Sequence, residues 1–564
     1  MKTISILYIT LLIFGAKAQF PRSLQSSKNS YDYSSYSATS TNQNLSSQTL
    51  SSKTSDQSVV YITNSGVTIN NSNLNKESGD SSKTENSEFY GVNAAVLVNG
   101  GGLTMTGGSI TTAAKGANAI VATNNGSVKI SGTEITSTGS GSARGLHSTF
   151  GGKIEANNVK ISTKGGSCAT LATDRGEGSV TCTECILSTA GAGSPLIYST
   201  GDITVSKTTG TATGAQAVVI EGKNTATIKD SSNLKCNGNP NRKDVDKCGI
   251  MLYQSMSGDA ASGTSTFNCD SSTIEIQSSS SVYSSAPMFF ITNTQAKINL
   301  DECTFKFGSG IFLNAAGTSE WGTSGSNGGI VTLTLTNQDI VGDIVVDGYS
   351  SLTLSLVDST ITGKINTANT AAKLAITLDE DSSIVLTGNS YYTSLVNEKT
   401  DGSNLVNGTY KWTLSEEKQI STTPNSGNGQ NGQPPSGSNG NPPEMPNGNG
   451  QPPFGSDQPN GGPPAMPNGQ LPNGSDQPNG VPPAVPNGQP PSGSDQPNGN
   501  PPEMPNGQPP NGNSSDGQIP NGNGVSNNND EEDPENIGNY VKNGSCKLNN
   551  FGFMTLLLIL AIVA

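Results

Sequence analysis

The side chains able to do chemistry in this chain are few and scattered. It carries eight cysteines and a single histidine. Cys182 and Cys185 have the spacing of half a zinc knuckle, but a structural zinc needs four ligands and no second half follows. Cys182 also falls in a column of apolar positions described below, so a buried thiol is the preferred reading for it, with a local or inter-coil disulfide as the alternative. Cys236 and Cys248 bracket a polar insertion, Asn237 to Lys247, and are the best disulfide candidates. Cys168, Cys269 and Cys303 have no near neighbour, and Cys546 sits beside a terminal apolar tail. His147 is too isolated for a histidine-pair metal site. A nucleophile–His–acid triad draws on distant residues that spacing does not reveal, and a structural role is the simpler reading. No metal or cofactor is expected.

Glycoside hydrolysis requires two carboxylates at a fixed separation. Three acidic groups qualify for inspection: Asp174 with Arg175 and Glu177, Asp301 with Glu302, and Asp379-Glu380-Asp381. None recurs in register along the chain, so exposed turn residues are expected. Trp321 lies in a Gly/Ser/Thr-rich loop, Ala315 to Gly329. An indole there can stack on a sugar or fold back as a cap, and Trp321 is kept as a candidate ligand contact.

The elements that must position these groups repeat. Leu103, Val128, Ile154, Val180 and Ile203 stand 25, 26, 26 and 23 residues apart. Met105, Ile130, Ala156, Cys182 and Val205 run two behind them. Ile110, Ile135, Ile161 and Leu187 form a third column, and Ile120, Leu146, Leu171, Ile197 and Ile220 a fourth. Toward the C-terminal side the period shortens: Leu333, Leu354 and Ile376 are 21 and 22 apart. Apolar and polar residues alternate within each unit, as in Leu103-Thr-Met105, which is the period of a strand with one buried face. Gly, Asn and Ser fill the gaps. Such units cannot bury an apolar face alone, but stacked copies can. The prediction is an all-β parallel solenoid over residues 58–414, with a β-sandwich array as the competing fold. At about 4.8 Å per stacked strand, some 14 coils would make a rod of roughly 65 Å.

On these columns the chain resembles the right-handed parallel β-helix proteins of pectin-lyase-like type, most closely their non-enzymatic adhesin-like surface members. Ser383-Ile-Val-Leu-Thr-Gly388, Ser390-Tyr-Tyr-Thr-Ser-Leu395 and Asn407-Gly-Thr-Tyr-Lys-Trp412 look like the last coil and cap of such solenoids. The resemblance implies a surface adhesion or coat role. The enzymatic members imply a polysaccharide lyase or glycosidase as the alternative.

The flanks give an address. Residues 1–18 have a short basic start, an apolar run and Ala16-Lys17-Ala18, the pattern of a secretory signal peptide cut between Ala18 and Gln19. Residues 19–57, rich in Ser and Thr, are expected to be a disordered arm. Residues 415–542 are low-complexity Pro, Asn, Gly and Gln, with Ser456-Asp-Gln-Pro-Asn-Gly461 recurring at Ser475 and Ser494. Nothing there can build a core, and a disordered stalk is the expectation. Residues 543–564 read as a GPI-attachment signal, with Asn543, Gly544 and Ser545 at the site and an apolar tail too short to span a bilayer comfortably. A single C-terminal membrane helix is the alternative. Export allows N-glycosylation, for which the acceptors are assigned as Asn44, Asn71, Asn125, Asn407, Asn473 and Asn513. The formal net charge is -14, from 30 basic and 44 acidic residues, without the basic clusters that nucleic-acid binding needs. The partners expected are the cell membrane through a lipid anchor, and glycans or other surface proteins.

Overall fold

A computed structural model describes residues 29–419 except 243–245, 256 and 258. The two chain ends, with Ala18, Gln19, Asn473, Asn513 and Asn543 to Ser545, lie outside the described residues. Each coil of the chain gives one strand to each of three faces. Ser58–Thr63, Gly66–Asn70 and Asn73–Lys76 follow one another, and pair with Val96–Asn99, Gly102–Thr106 and Ser109–Thr112 of the next coil. Repetition builds a first sheet of 12 strands, a second of 14 and a third of 10, the last continued by a 4-stranded sheet. Every strand pair among the described residues is parallel and joins adjacent coils. The fold is a parallel β-helix, and the sandwich reading falls.

The predicted columns face one another in the predicted register, Leu103 against Val128 and Val128 against Ile154. One column slipped. Ile197 opposes Val218, while Ile220 opposes Ser199. The shorter coil between them moved the matching position by two, which keeps the same face and so left the alternation intact. The solenoid also begins earlier than its expected start. Ala38–Thr41, Leu45–Ser46 and Thr49–Ser52 form a first coil inside the segment assigned to a disordered arm. Leu45, Ser40 and Ser52 are its buried positions. Leu50 and Ala38 add partly buried apolar contacts, and the coil above supplies the rest of the core.

In most coils a single left-handed residue turns the chain from the second face to the third. Asn71, Asn158, Glu184, Lys207, Ser271, Glu302, Asn337 and Asp358 hold this corner with φ between 45 and 57°. The residue after each corner is buried, and many carry hydroxyls. Thr208 N donates to Ser232 Oγ (3.1 Å), Ser232 N to Ser272 Oγ (3.2 Å), Gln338 N to Ser359 Oγ and Ser359 N to Ser382 Oγ (both 3.1 Å). Buried amides at a corner must find acceptors, and this ladder provides them coil by coil.

Both disulfides join this corner position to the inward column of the second sheet. Cys182–Cys185 does so within one coil, and Cys269–Cys303 between neighbouring coils. Cys236 and Cys248 do not pair, contrary to expectation; both thiols are free and buried. Cys236 belongs to the central core with Ala212 and Ile276, whereas Cys248 packs outside the first sheet with Met251 and Phe290. Bracketing an insertion did not bring them onto one apolar cluster.

Candidate functional site

Strands of the second and third sheets alternate buried and exposed residues, as Leu103 and Met105 do against Thr104 and Thr106. Strands of the first sheet do not. Ile120–Thr123, Leu146–Ser148, Leu171–Thr173, Val218–Glu221 and Ile250–Tyr253 are buried at every position. Successive side chains of a strand point to opposite faces, so the outer face of this sheet is covered too. Its outward column runs Tyr61, Leu97, Val121, His147, Ala172, Tyr198, Val219, Met251 and Phe290. Tyr33 and Tyr36 pack over its first members, and Trp321 over its last. Between them lies the helix Thr84–Tyr90, ended by Gly91 in the left-handed conformation (φ 72°).

Under this cover sits a charged network. Arg144 Nη1 donates to Asp174 Oδ2 (2.7 Å) and to His147 Nε2 (2.8 Å), and both ionic side chains are about 95% buried, at 5% and 6% exposure. Because Arg144 donates to Nε2, the His147 proton resides on Nδ1, which is buried without a partner. Burial and the Arg144 charge hold His147 neutral, well below its ordinary pKa. Glu88 accepts from Ser142, and Arg175 pairs with Asp259 while lying 3.7 Å over the Phe89 ring. Burial raises the carboxyls of Glu88 and Asp174, in both cases against the Arg144 charge. Asp174 and Arg175 were expected as exposed turn residues, and the structure corrects this. Their covering partners come from 30 residues upstream and 84 downstream. Glu177 stays at the surface in a pair with Lys223 at 2.7 Å.

A second group adjoins the first through Tyr198, whose ring lies 5.7 Å from the Arg144 guanidinium. Glu221 accepts from the hydroxyls of Tyr198 (2.6 Å), Tyr253 (2.9 Å) and Ser255. Burial pushes the Glu221 carboxyl up, and it pushes both phenols well above their ordinary range. Tyr253 meets Trp321 edge-on at 4.8 Å.

A cavity of about 110 Å³ opens on this face. Tyr198, Tyr253 and Trp321 give it aromatic lining, Val219, Met251 and Pro195 aliphatic lining, and Arg144, Ser167, Gln216 and Arg242 polar groups. No carboxylate lines it among the described residues. Trp321, the candidate ligand contact, is thus both folded back onto the solenoid and a wall of the cavity. Its loop is fixed by Asn327 Nδ2, which donates to the carbonyls of Thr318 (2.6 Å) and Trp321 (2.5 Å). The Trp321 indole N–H is buried without a partner. The larger, open depression of about 380 Å³ on the second sheet, around Lys129 and Glu155, has no aromatic lining.

The other candidates fall elsewhere. Glu302 occupies a left-handed corner, and Asp379 lies on the turn after Lys373–Leu378, accepting from the amides of Asp358 and Ser382. Among the described residues no group of three or more His, Cys, Asp or Glu could hold a metal ion, and no helix is long and apolar enough to cross a membrane. Asn44 and Asn125 are exposed, and Asn407 is half-buried. The acceptor in Asn70-Asn71-Ser72 is Asn70, which corrects the assignment of Asn71; Asn71 is a corner residue. The chain matches no protein-family model, no curated protein and no solved structure.

Proposed function

We propose that this chain is a non-enzymatic surface protein that binds glycans through the cavity at Tyr198, Tyr253 and Trp321. Residues 1–18 export it, 415–542 carry the β-helix on a stalk, and a GPI anchor at Asn543–Ser545 holds it to the plasma membrane. Its role is adhesion or coat formation. The observation that carries the reading is the lining. Aromatic faces match the apolar faces of sugar rings, and Arg144, Gln216 and Ser167 offer hydrogen bonds beside them. An apolar cavity of roughly 150 Å³ holds one benzene ring, so about 110 Å³ suits part of a single sugar unit.

The test is the full chain, released from cells and purified, on a glycan array. Binding should be retained by a restricted set of glycans, and Trp321→Ala should weaken it about tenfold, or ~1.4 kcal/mol. An array with no binder sinks the reading, as does chain cleavage of a polysaccharide panel by the purified protein. The anchor is tested on intact cells: phosphatidylinositol-specific phospholipase C should release the protein, and retention overturns the lipid anchor.

A further inference from the structure

We propose that Glu221 is a positioning residue of the cavity: its carboxylate, which touches no ligand space, holds the rings of Tyr198 and Tyr253 at the angle the cavity uses. The inference rests on the cavity being a binding site, and it adds the residue that shapes it. Glu221 ends the strand Val218–Glu221 and is 2% exposed. It is absent from the cavity wall, while both tyrosines bonded to it are present there. The two phenols converge on one oxygen, Oε2, from neighbouring coils: Tyr198 precedes the Glu221 strand and Tyr253 follows it. Ser255 occupies the other oxygen.

A tyrosine ring has two side-chain torsions, of which χ2 is broad. Packing alone sets its position loosely; a fixed hydroxyl sets it closely. Tyr253 transmits that restraint to Trp321 at 4.8 Å, and Tyr198 shares a face with Arg144 at 5.7 Å. Three hydroxyls bonded to one buried carboxyl group tie the aromatic and the cationic parts of the cavity together.

The test uses the full chain in a Trp412→Phe background, so that Trp321 is the only indole. Glu221→Leu removes the acceptor, Tyr198→Phe with Tyr253→Phe removes the two phenol donors and leaves Ser255, and Glu221→Gln keeps a carbonyl acceptor. Acrylamide quenching of Trp321 needs no ligand. Quenching should rise about twofold in the Leu variant and in the double Phe variant, and return toward the parent in the Gln variant. If the Leu variant does not fold, the double Phe variant carries the same expectation, because it keeps both rings. The glycan array is then repeated. Glycans that lose signal with Trp321→Ala should also weaken with the double Phe variant, by about tenfold (~1.4 kcal/mol). Unchanged quenching in the double Phe variant overturns the positioning role. Altered quenching with an array empty even for the parent supports that role and removes the glycan reading instead.

Discussion

The two outer surfaces of this solenoid are built on opposite rules. The second sheet exposes one side of every strand, with Thr, Ser, Asn and paired charges such as Lys160–Glu134 and Lys129–Glu155 at the surface of the second and third faces. The first sheet exposes almost nothing, because Tyr33, the helix Thr84–Tyr90 and the Trp321 loop cover it. The regular surface comes from the repeat. The covered surface comes from departures from it, and every group of chemical interest lies under those departures. In a repeat protein the period specifies the scaffold, so the residues that break the period are where a site can be placed.

This difference also governs what the sequence reveals. The columns through Leu103, Met105 and Ile110 were legible because each position opposes its own kind one coil away. Asp174 looked like a turn residue because its neighbours in sequence are Thr, Arg and Gly; it is paired in the interior with Arg144, 30 residues away, which no local pattern points to. The corner ladder was hidden for another reason. Ser232, Ser272, Ser359 and Ser382 are buried hydroxyls, and a serine reads as surface unless the amide it caps is known. The disulfides were hidden by the same columns that revealed the fold: Cys182 sits among apolar positions, and its partner column holds hydroxyls. Trp321 was found from composition alone, as an aromatic residue in a loop of small ones.

The contrast predicts unequal costs of mutation. The largest effect should follow Arg144→Met, which strands the buried carboxylate of Asp174 and removes the donor to His147. Breaking a buried pair costs about 3–5 kcal/mol, whereas replacing both partners by apolar residues is often near neutral. Arg144→Met with Asp174→Leu should therefore recover most of the loss in denaturant unfolding. The exposed pair Lys160–Glu134, at a similar 2.8 Å, should cost about 0–1 kcal/mol when broken. Equal losses at the two pairs would abolish the distinction between the faces.

The disulfides make the next comparison, inside the scaffold. Cys269–Cys303 closes a separation of 34 residues and Cys182–Cys185 one of 3. Loop entropy puts these at about 4 and about 2 kcal/mol. Replacing Cys269 and Cys303 by Ala should therefore lower stability about twice as much as replacing Cys182 and Cys185. Comparable to the shorter disulfide is one rung of the corner ladder. Ser359→Ala removes the acceptor for the Gln338 amide and should cost about 1–3 kcal/mol, the penalty for an unsatisfied buried donor. A loss below about 0.5 kcal/mol, ordinary for a surface site, would show that the ladder is not a structural restraint.

The smallest effect, and the one that separates the faces by chemistry, is the pH dependence. Burial raises the carboxyls of Glu88, Asp174 and Glu221, which face Arg144, His147, Arg175, Asp259, Tyr198 and Tyr253. The folded chain binds these protons more tightly than the unfolded one. Their contribution to stability is therefore fully present below the unfolded value near ~4 and is lost as pH rises through the raised folded values. On the exposed turns the sign is opposite. Hydrogen bonds from Ser206 lower Asp230, and those from Ser403 lower Asp401, so their contribution is present at neutral pH and fades in acid. The covered carboxyls therefore act on the thermal midpoint above about pH 4, and the exposed ones below it. Glu221→Gln deletes one titration from the covered face and keeps its hydrogen-bond acceptor. Its midpoint should fall less than the parent's as pH rises from about 4 to about 8, while Asp230→Asn should act only below about pH 4, where it removes part of the parent's loss in acid. Parallel profiles for parent and Glu221→Gln would mean that the buried carboxyl titrates as an exposed one does, and the covered face would lose its electrostatic distinction from the open ones.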